Sequence, residues 1–151
     1  TIVIFGGALI AANKQAGAPV IQYSSSDTDR PRIEIAETSF DFGNITLADK
    51  KTREIKIKNN GTKTLTISDL ITSCDCTFAQ LIIDDRESPR FSMRRDSTWR
   101  GEITPAGEAT LRIVYEPKIM PVQGKVTREI VFKTNDPEKP LININFTAYV
   151  K

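Results

Sequence analysis

From Pro31 onward, polar and apolar residues alternate. Arg32-Ile33-Glu34-Ile35-Ala36 changes character at every position, the period of a strand with one buried face. Phe40-Asp41-Phe42-Gly43 repeats this with aromatics, and Lys51–Asn59 puts Ile55 and Ile57 on one face with Lys or Glu around them. Asn60-Gly61 then predicts a two-residue hairpin turn, because both positions tolerate positive φ. Thr64-Leu65-Thr66-Ile67 resumes the alternation as the return strand. Further strands are predicted at Thr77–Ile83, Ala109–Tyr115, Val126–Lys133 and Leu141–Val150, with turn residues such as Pro105-Ala106-Gly107 and Asn135-Asp136-Pro137 between them. Beyond the N-terminus no run follows a helical period. This pattern predicts an all-β, immunoglobulin-like antiparallel β-sandwich of about seven or eight strands.

Two stretches break the rhythm. Thr1–Ala12 (TIVIFGGALIAA) has Thr1 as its single polar side chain. Twelve residues fall short of the roughly 20 that span a bilayer, so this is expected to be part of a membrane anchor or the apolar core of a signal peptide. Its apolar side chains Ile2, Val3, Ile4, Phe5, Leu9 and Ile10 are the candidate anchor positions. The following residues, with Gly17, Pro19 and Ser24 to Ser26, read as a flexible tether. The expected organisation is therefore 1–13 anchor or signal, 14–30 tether and 31–151 sandwich. The second stretch, Asp84–Arg100, holds five arginines, four acids, one Trp, one Phe and one Met. It predicts a long polar connection, either a solvated excursion or a protein contact, since Trp, Arg, Phe and Met concentrate at interface cores. Arg90, Phe91, Arg94, Arg95, Trp99 and Arg100 are the candidate partner-binding residues.

Composition narrows the function classes. At 151 residues, one domain with a modest tail fits. The net charge of +2, from 21 basic and 19 acidic residues, lacks the basic excess that nucleic-acid binding by bulk charge requires. The chain has no histidine, which removes Ser-His-Asp and Cys-His catalysis and His-based zinc sites. Paired acids such as Asp84 and Asp85 read as a solvated face. No cofactor is expected, no nucleic acid, and no small-molecule substrate.

Cys74-Asp75-Cys76 is the one chemically pointed motif. In an extended strand both sulfurs face the same way. A bridge between them would place the Cα atoms near the roughly 6.8 Å upper limit for a disulfide unless the backbone bends. The alternatives are a thiolate pair for a soft ion such as Cu(I), or two small packed side chains with no chemistry.

Taken in order, Phe40-Asp41-Phe42-Gly43, Asn59-Asn60-Gly61, Leu65-Thr66-Ile67, Ser73-Cys74-Asp75-Cys76-Thr77, Pro105-Ala106-Gly107-Glu108 and Thr134-Asn135-Asp136-Pro137 resemble the bacterial family known as domain of unknown function 1573. The resemblance covers about residues 38 to 150. It implies an immunoglobulin-like sandwich akin to ASH and major sperm protein modules, which bind other proteins, and often a signal peptide or lipoprotein signal. It brings no established catalytic residues. Asp75 stands where the family usually has glycine, Ala106 is inserted in the Pro-Gly turn, and Asp84–Arg100 is longer than the usual connection.

The resulting expectation is a non-catalytic interaction or structural subunit of a bacterial cell-envelope complex. Its partners would be other protein subunits, and its N-terminus would hold it to the membrane on the periplasmic or extracellular side. The competing expectation is a thiol-redox or copper-binding envelope protein that uses Cys74 and Cys76.

Overall fold

The structure is a computed structural model that describes residues 19–151. The anchor positions Ile2, Val3, Ile4, Phe5, Leu9 and Ile10 lie outside the described residues, as does the start of the expected tether. No helix among the described residues is long and apolar enough to cross a membrane.

Ten strands follow one another: β1 (Ile33–Ile35), β2 (Ser39–Ile45), β3 (Lys51–Asn59), β4 (Leu65–Thr72), β5 (Thr77–Ile83), β6 (Arg86–Glu87), β7 (Arg100–Ile103), β8 (Glu108–Tyr115), β9 (Gly124–Thr134) and β10 (Leu141–Val150). They form two five-stranded sheets, ordered β1-β3-β8-β5-β6 and β2-β10-β9-β4-β7. The alternating residues of both sheets meet in one core. Ile55, Ile57, Leu111, Ile113, Ile130, Phe132 and Ile144 are all essentially without exposure, and each fully buried side chain of this size contributes about 1.5–3 kcal/mol. Phe146 centres an aromatic group, its ring 5.1 Å from Phe42, 5.4 Å from Phe40 and 5.3 Å from Tyr115.

All eight expected strands are present, and the sequence-based reading needs three corrections. First, two short edge strands, β6 and β7, bring the number to ten among the described residues. Two to four residues are too few to show a period. Second, the sandwich is not wholly antiparallel, because β10 pairs in parallel with β2 and antiparallel with β9. The closing strand is thus an interior strand with no free edge to offer a partner. Third, Asn60-Gly61 is not a hairpin turn: β3 and β4 lie in different sheets. Gly61 serves close approach instead, since a Cβ there would run into the backbone of Arg30, Pro31 and Arg32.

Buried polar groups stitch the end of the sandwich where β3 crosses to β4. The fully buried Asn59 accepts from the backbone N–H of Arg32 (3.2 Å) and Gly61 (3.0 Å), and donates to the carbonyls of Lys63 (2.8 Å) and Ile103 (3.0 Å). Asn135 accepts from Thr66 N–H at 2.8 Å and donates to Thr64 O at 3.1 Å. Asp136 accepts from Ile33 N–H at 2.9 Å and Glu138 N–H at 3.0 Å, and faces the Arg30 guanidinium at 3.4 Å. Arg30 is itself buried, so the packed structure reaches upstream of Pro31 into the segment expected to be tether.

Candidate functional site

At the opposite end, β4 hands over to β5 and the chain changes sheets through Ser73-Cys74-Asp75-Cys76. The backbone does not stay extended. Thr77 N–H returns to Cys74 O at 3.2 Å, closing a tight turn that brings the Cα atoms of Cys74 and Cys76 to 5.2 Å, and the two sulfurs are joined in a disulfide. The bend removes the distance objection that an extended strand raises. While bridged, the pair has no thiolate to offer a soft metal. Cys74 is 4% exposed and Cys76 0%, both within the core cluster.

Two polar groups contact the sulfurs. The Thr77 hydroxyl lies 3.2 Å from Cys74 Sγ and 4.0 Å from Cys76 Sγ. Arg128 on β9 donates from Nε to Cys76 Sγ at 3.4 Å, and its guanidinium carbon lies 6.0 Å from the centre of the Tyr115 ring. Burial pushes the Tyr115 phenol pKa up, and the Arg128 charge pulls it part of the way back. Arg128 makes no well-formed hydrogen bond to that hydroxyl, which is buried without a partner among the described residues.

The cysteine turn is coupled to the neighbouring loop. Glu116 N–H donates to Cys76 O at 2.9 Å, and Ile119 N–H to Glu116 O at 3.1 Å. Pro117–Ile119 forms one 3-10 turn, after which Ile119, Met120 and Val122 point into solvent at 43%, 43% and 46% exposure. Glu116, only 14% exposed, gathers three cations: Lys50 at 3.4 Å, Arg90 at 3.9 Å and Lys118 at 4.0 Å. An apolar tip therefore stands on a collar with more positive than negative charge. Sequence reasoning missed the tip because a four-residue apolar run has no period. The signal was there in Pro117 and Pro121, which bar a continuous strand from a run that is otherwise apolar.

The expected partner-binding residues of Asp84–Arg100 divide. The segment is not a structureless excursion. After β6 it continues antiparallel along β5, with Ser88 N–H on Leu81 O at 2.8 Å and Phe91 exchanging bonds with Ala79 at 2.8 and 2.9 Å. It then crosses the open side of the sandwich to β7. Phe91 is buried at 2% exposure and meets the Trp99 ring edge-on at 5.0 Å. Phe91 is therefore core and offers no contact surface. Trp99 packs against the core and over Gly101, and Arg100 is engaged with the carbonyls of Ser97 (2.7 Å) and Trp99 (2.8 Å). Arg90 lies over the Phe78 ring at 4.2 Å. Arg94 and Arg95 stand exposed beside the exposed Met93. They lie at the cysteine end, since the preceding Ser92 carbonyl accepts from Thr72 N–H at 3.0 Å.

Two five-stranded sheets with this order make an immunoglobulin-like sandwich, and the solved structures agree on the fold. The ASH/PapD-like domain 7 of human CEP192 matches with a TM-score of 0.54 at 12% identity, covering 89% of this chain and 94% of that one. A protein of unknown function from Porphyromonas gingivalis W83 matches with a TM-score of 0.61 at 24% identity, covering 81% of this chain and 48% of that one. The present chain thus corresponds to about half of that protein. A family 123 glycoside hydrolase from Clostridium perfringens matches with a TM-score of 0.51 at 10% identity over 80% of this chain and 27% of that one. Within the sequence, residues 33–86, from β1 through the cysteine turn to the start of β6, match the family described as protein of unknown function DUF1573. No curated protein matches the sequence significantly.

Proposed function

We propose that this chain is a non-catalytic docking subunit of a membrane-associated envelope complex. It would bind through the tip at the disulfide end to a protein surface that sets acidic residues around an apolar patch. The observation that carries this reading is the run Ile119-Met120-Pro121-Val122, held in solvent above a carboxylate outnumbered by three cations. Scattered exposed apolar residues are ordinary, but a contiguous apolar patch with a polar rim marks an interaction site. Met93, Arg94 and Arg95 are exposed at the same end, and Met and Arg are enriched at interface cores.

Chain direction supports the reading. The segment leading into β1 packs at the far end, through Arg30 and Asp136, so an upstream membrane attachment would leave the tip pointing away from its tether. The test is gentle detergent extraction of the native protein, with identification of what co-purifies, repeated for the Met120→Asp/Val122→Asp pair. Co-purification should fall at least tenfold at an unchanged melting temperature. An unchanged yield would overturn the tip assignment. Capture of anionic-lipid vesicles by the purified chain, with no protein retained, would replace a protein partner by a lipid surface.

A further inference from the structure

We infer that the Cys74–Cys76 disulfide is a reducible redox site, with Cys74 the sulfur attacked, Cys76 the leaving thiolate and Arg128 its counter-charge. This goes beyond the docking reading and does not depend on it, because its readout is the thiol chemistry of the isolated chain. Two observations distinguish the two cysteines. Cys74 is the more exposed, at 4% against 0%. Arg128 Nε contacts Cys76 Sγ at 3.4 Å, while Cys74 Sγ has the neutral Thr77 hydroxyl at 3.2 Å. Arg128 is half-buried on β9, 52 residues away in sequence, so the sheet presents it to the turn as a fixed charge.

The rate of thiol–disulfide exchange rises as the leaving thiol's pKa falls. An opposite charge within about 4–6 Å lowers a pKa by about 1–3 units, and burial raises it. At Cys76 the guanidinium is in direct contact at 3.4 Å and acts against the burial. The reductant is a dithiol. One of its thiolates attacks Cys74 Sγ, the Cys74–Cys76 bond breaks, and its electron pair leaves on Cys76 Sγ beside Arg128. The dithiol's second sulfur then attacks its partner in the mixed disulfide and releases Cys74, which takes one of the two thiol protons while the other goes to water. The dithiol is oxidised to a disulfide and the cysteine pair is reduced by two electrons. Because Cys76 O holds Glu116 N–H at 2.9 Å, this chemistry takes place at the root of the apolar tip.

The test uses dithiothreitol as the dithiol, with alkylation and mass analysis to count thiols, on the wild-type chain, Arg128→Gln and Arg128→Lys. In the reduced wild type, one thiol should titrate by its 240 nm absorbance below the ordinary value of about 8.5. Glutathione should be trapped on Cys74 rather than Cys76. Arg128→Gln should shift the equilibrium by up to about tenfold toward the disulfide, read at a pH above the titration of both thiols, by removing the charge that favours the Cys76 thiolate, and Arg128→Lys should restore most of it. Two thiols titrating at or above the ordinary value would overturn the inference. So would an equilibrium unchanged in Arg128→Gln, or reduction that proceeds only at the rate of global unfolding.

Discussion

The two ends of the sandwich close the same two sheets by different chemistry. Where β3 crosses to β4, the joint is a web of buried amides and one buried ion pair, with Asn59, Asn135 and Asp136 each satisfied by backbone groups from other elements. Where β4 crosses to β5, the joint is a covalent clip enclosing a single residue, with the buried Thr72 hydroxyl 2.9 Å from the Cys74 and Thr77 carbonyls, and its neighbour is an exposed apolar tip. Buried hydrogen bonds are costly to leave unmade and tie distant segments together. A short clip constrains only its own turn. The first end therefore holds the fold, and the second is free to carry surface and redox chemistry.

That contrast can be broken most directly at Asp136. Asp136→Ala removes the buried acceptor for the Ile33 and Glu138 N–H groups and leaves Arg30 with Glu138 alone as its carboxylate partner among the described residues. The loss should be about 3 kcal/mol, read by denaturant unfolding, because two N–H groups lose their acceptor; a loss near zero would show that the web does not hold this end. The Cys74→Ala/Cys76→Ala pair should cost about 1.5 kcal/mol, because closing so small a loop removes little entropy from the unfolded chain. A cost equal to that of Asp136→Ala would erase the distinction between the ends. Substitution at Met120 should stay within about 0.5 kcal/mol of the parent, its effect being on binding.

The smallest effect concerns acid. Asp49 at the clip end is held below its ordinary 3.8, first by the Thr46 backbone N–H, with the Thr46 hydroxyl and Lys51 adding smaller pulls. A carboxyl whose folded pKa is lowered stabilises the fold above its unfolded value, and that contribution is lost as pH falls through the folded one. Melting temperature should therefore sag as pH falls through and below 3.8, and slightly less so in Asp49→Asn.

Most of the architecture was legible because half-buried strands write their period into the sequence. Lys51–Asn59, Thr77–Ile83 and Leu141–Val150 coincide with β3, β5 and β10 residue for residue. Partnership was not legible. Alternation tells which face a residue takes, not which strand lies alongside, so β10 next to β2 in parallel and β3 and β4 in separate sheets left no local mark. Aromatics in the charged stretch were read as contact residues, but Phe91 and Trp99 fill the open side of the sandwich. The motif residues Asn59, Asn135 and Asp136 proved to be structural joints. Arg128 beside Cys76 could not be anticipated, since a contact across 52 positions has no signature in either segment.

The placement of β10 has a consequence for the order of assembly. Its partner on one side, β2, lies about a hundred positions earlier, as the register Phe146 with Phe40 shows. Until Leu141–Val150 arrives, β2 has no neighbour in its sheet, and Phe40 and Phe42 lack the Phe146 ring they pack against. Contacts this distant along the chain make folding slow, and an unpaired aromatic strand invites pairing with other chains. The newly made polypeptide thus passes through a period in which the core side chains of β2, and those of the sheet face that β10 completes, are uncovered. During that interval the edge of β9 that β10 will take stays open as well.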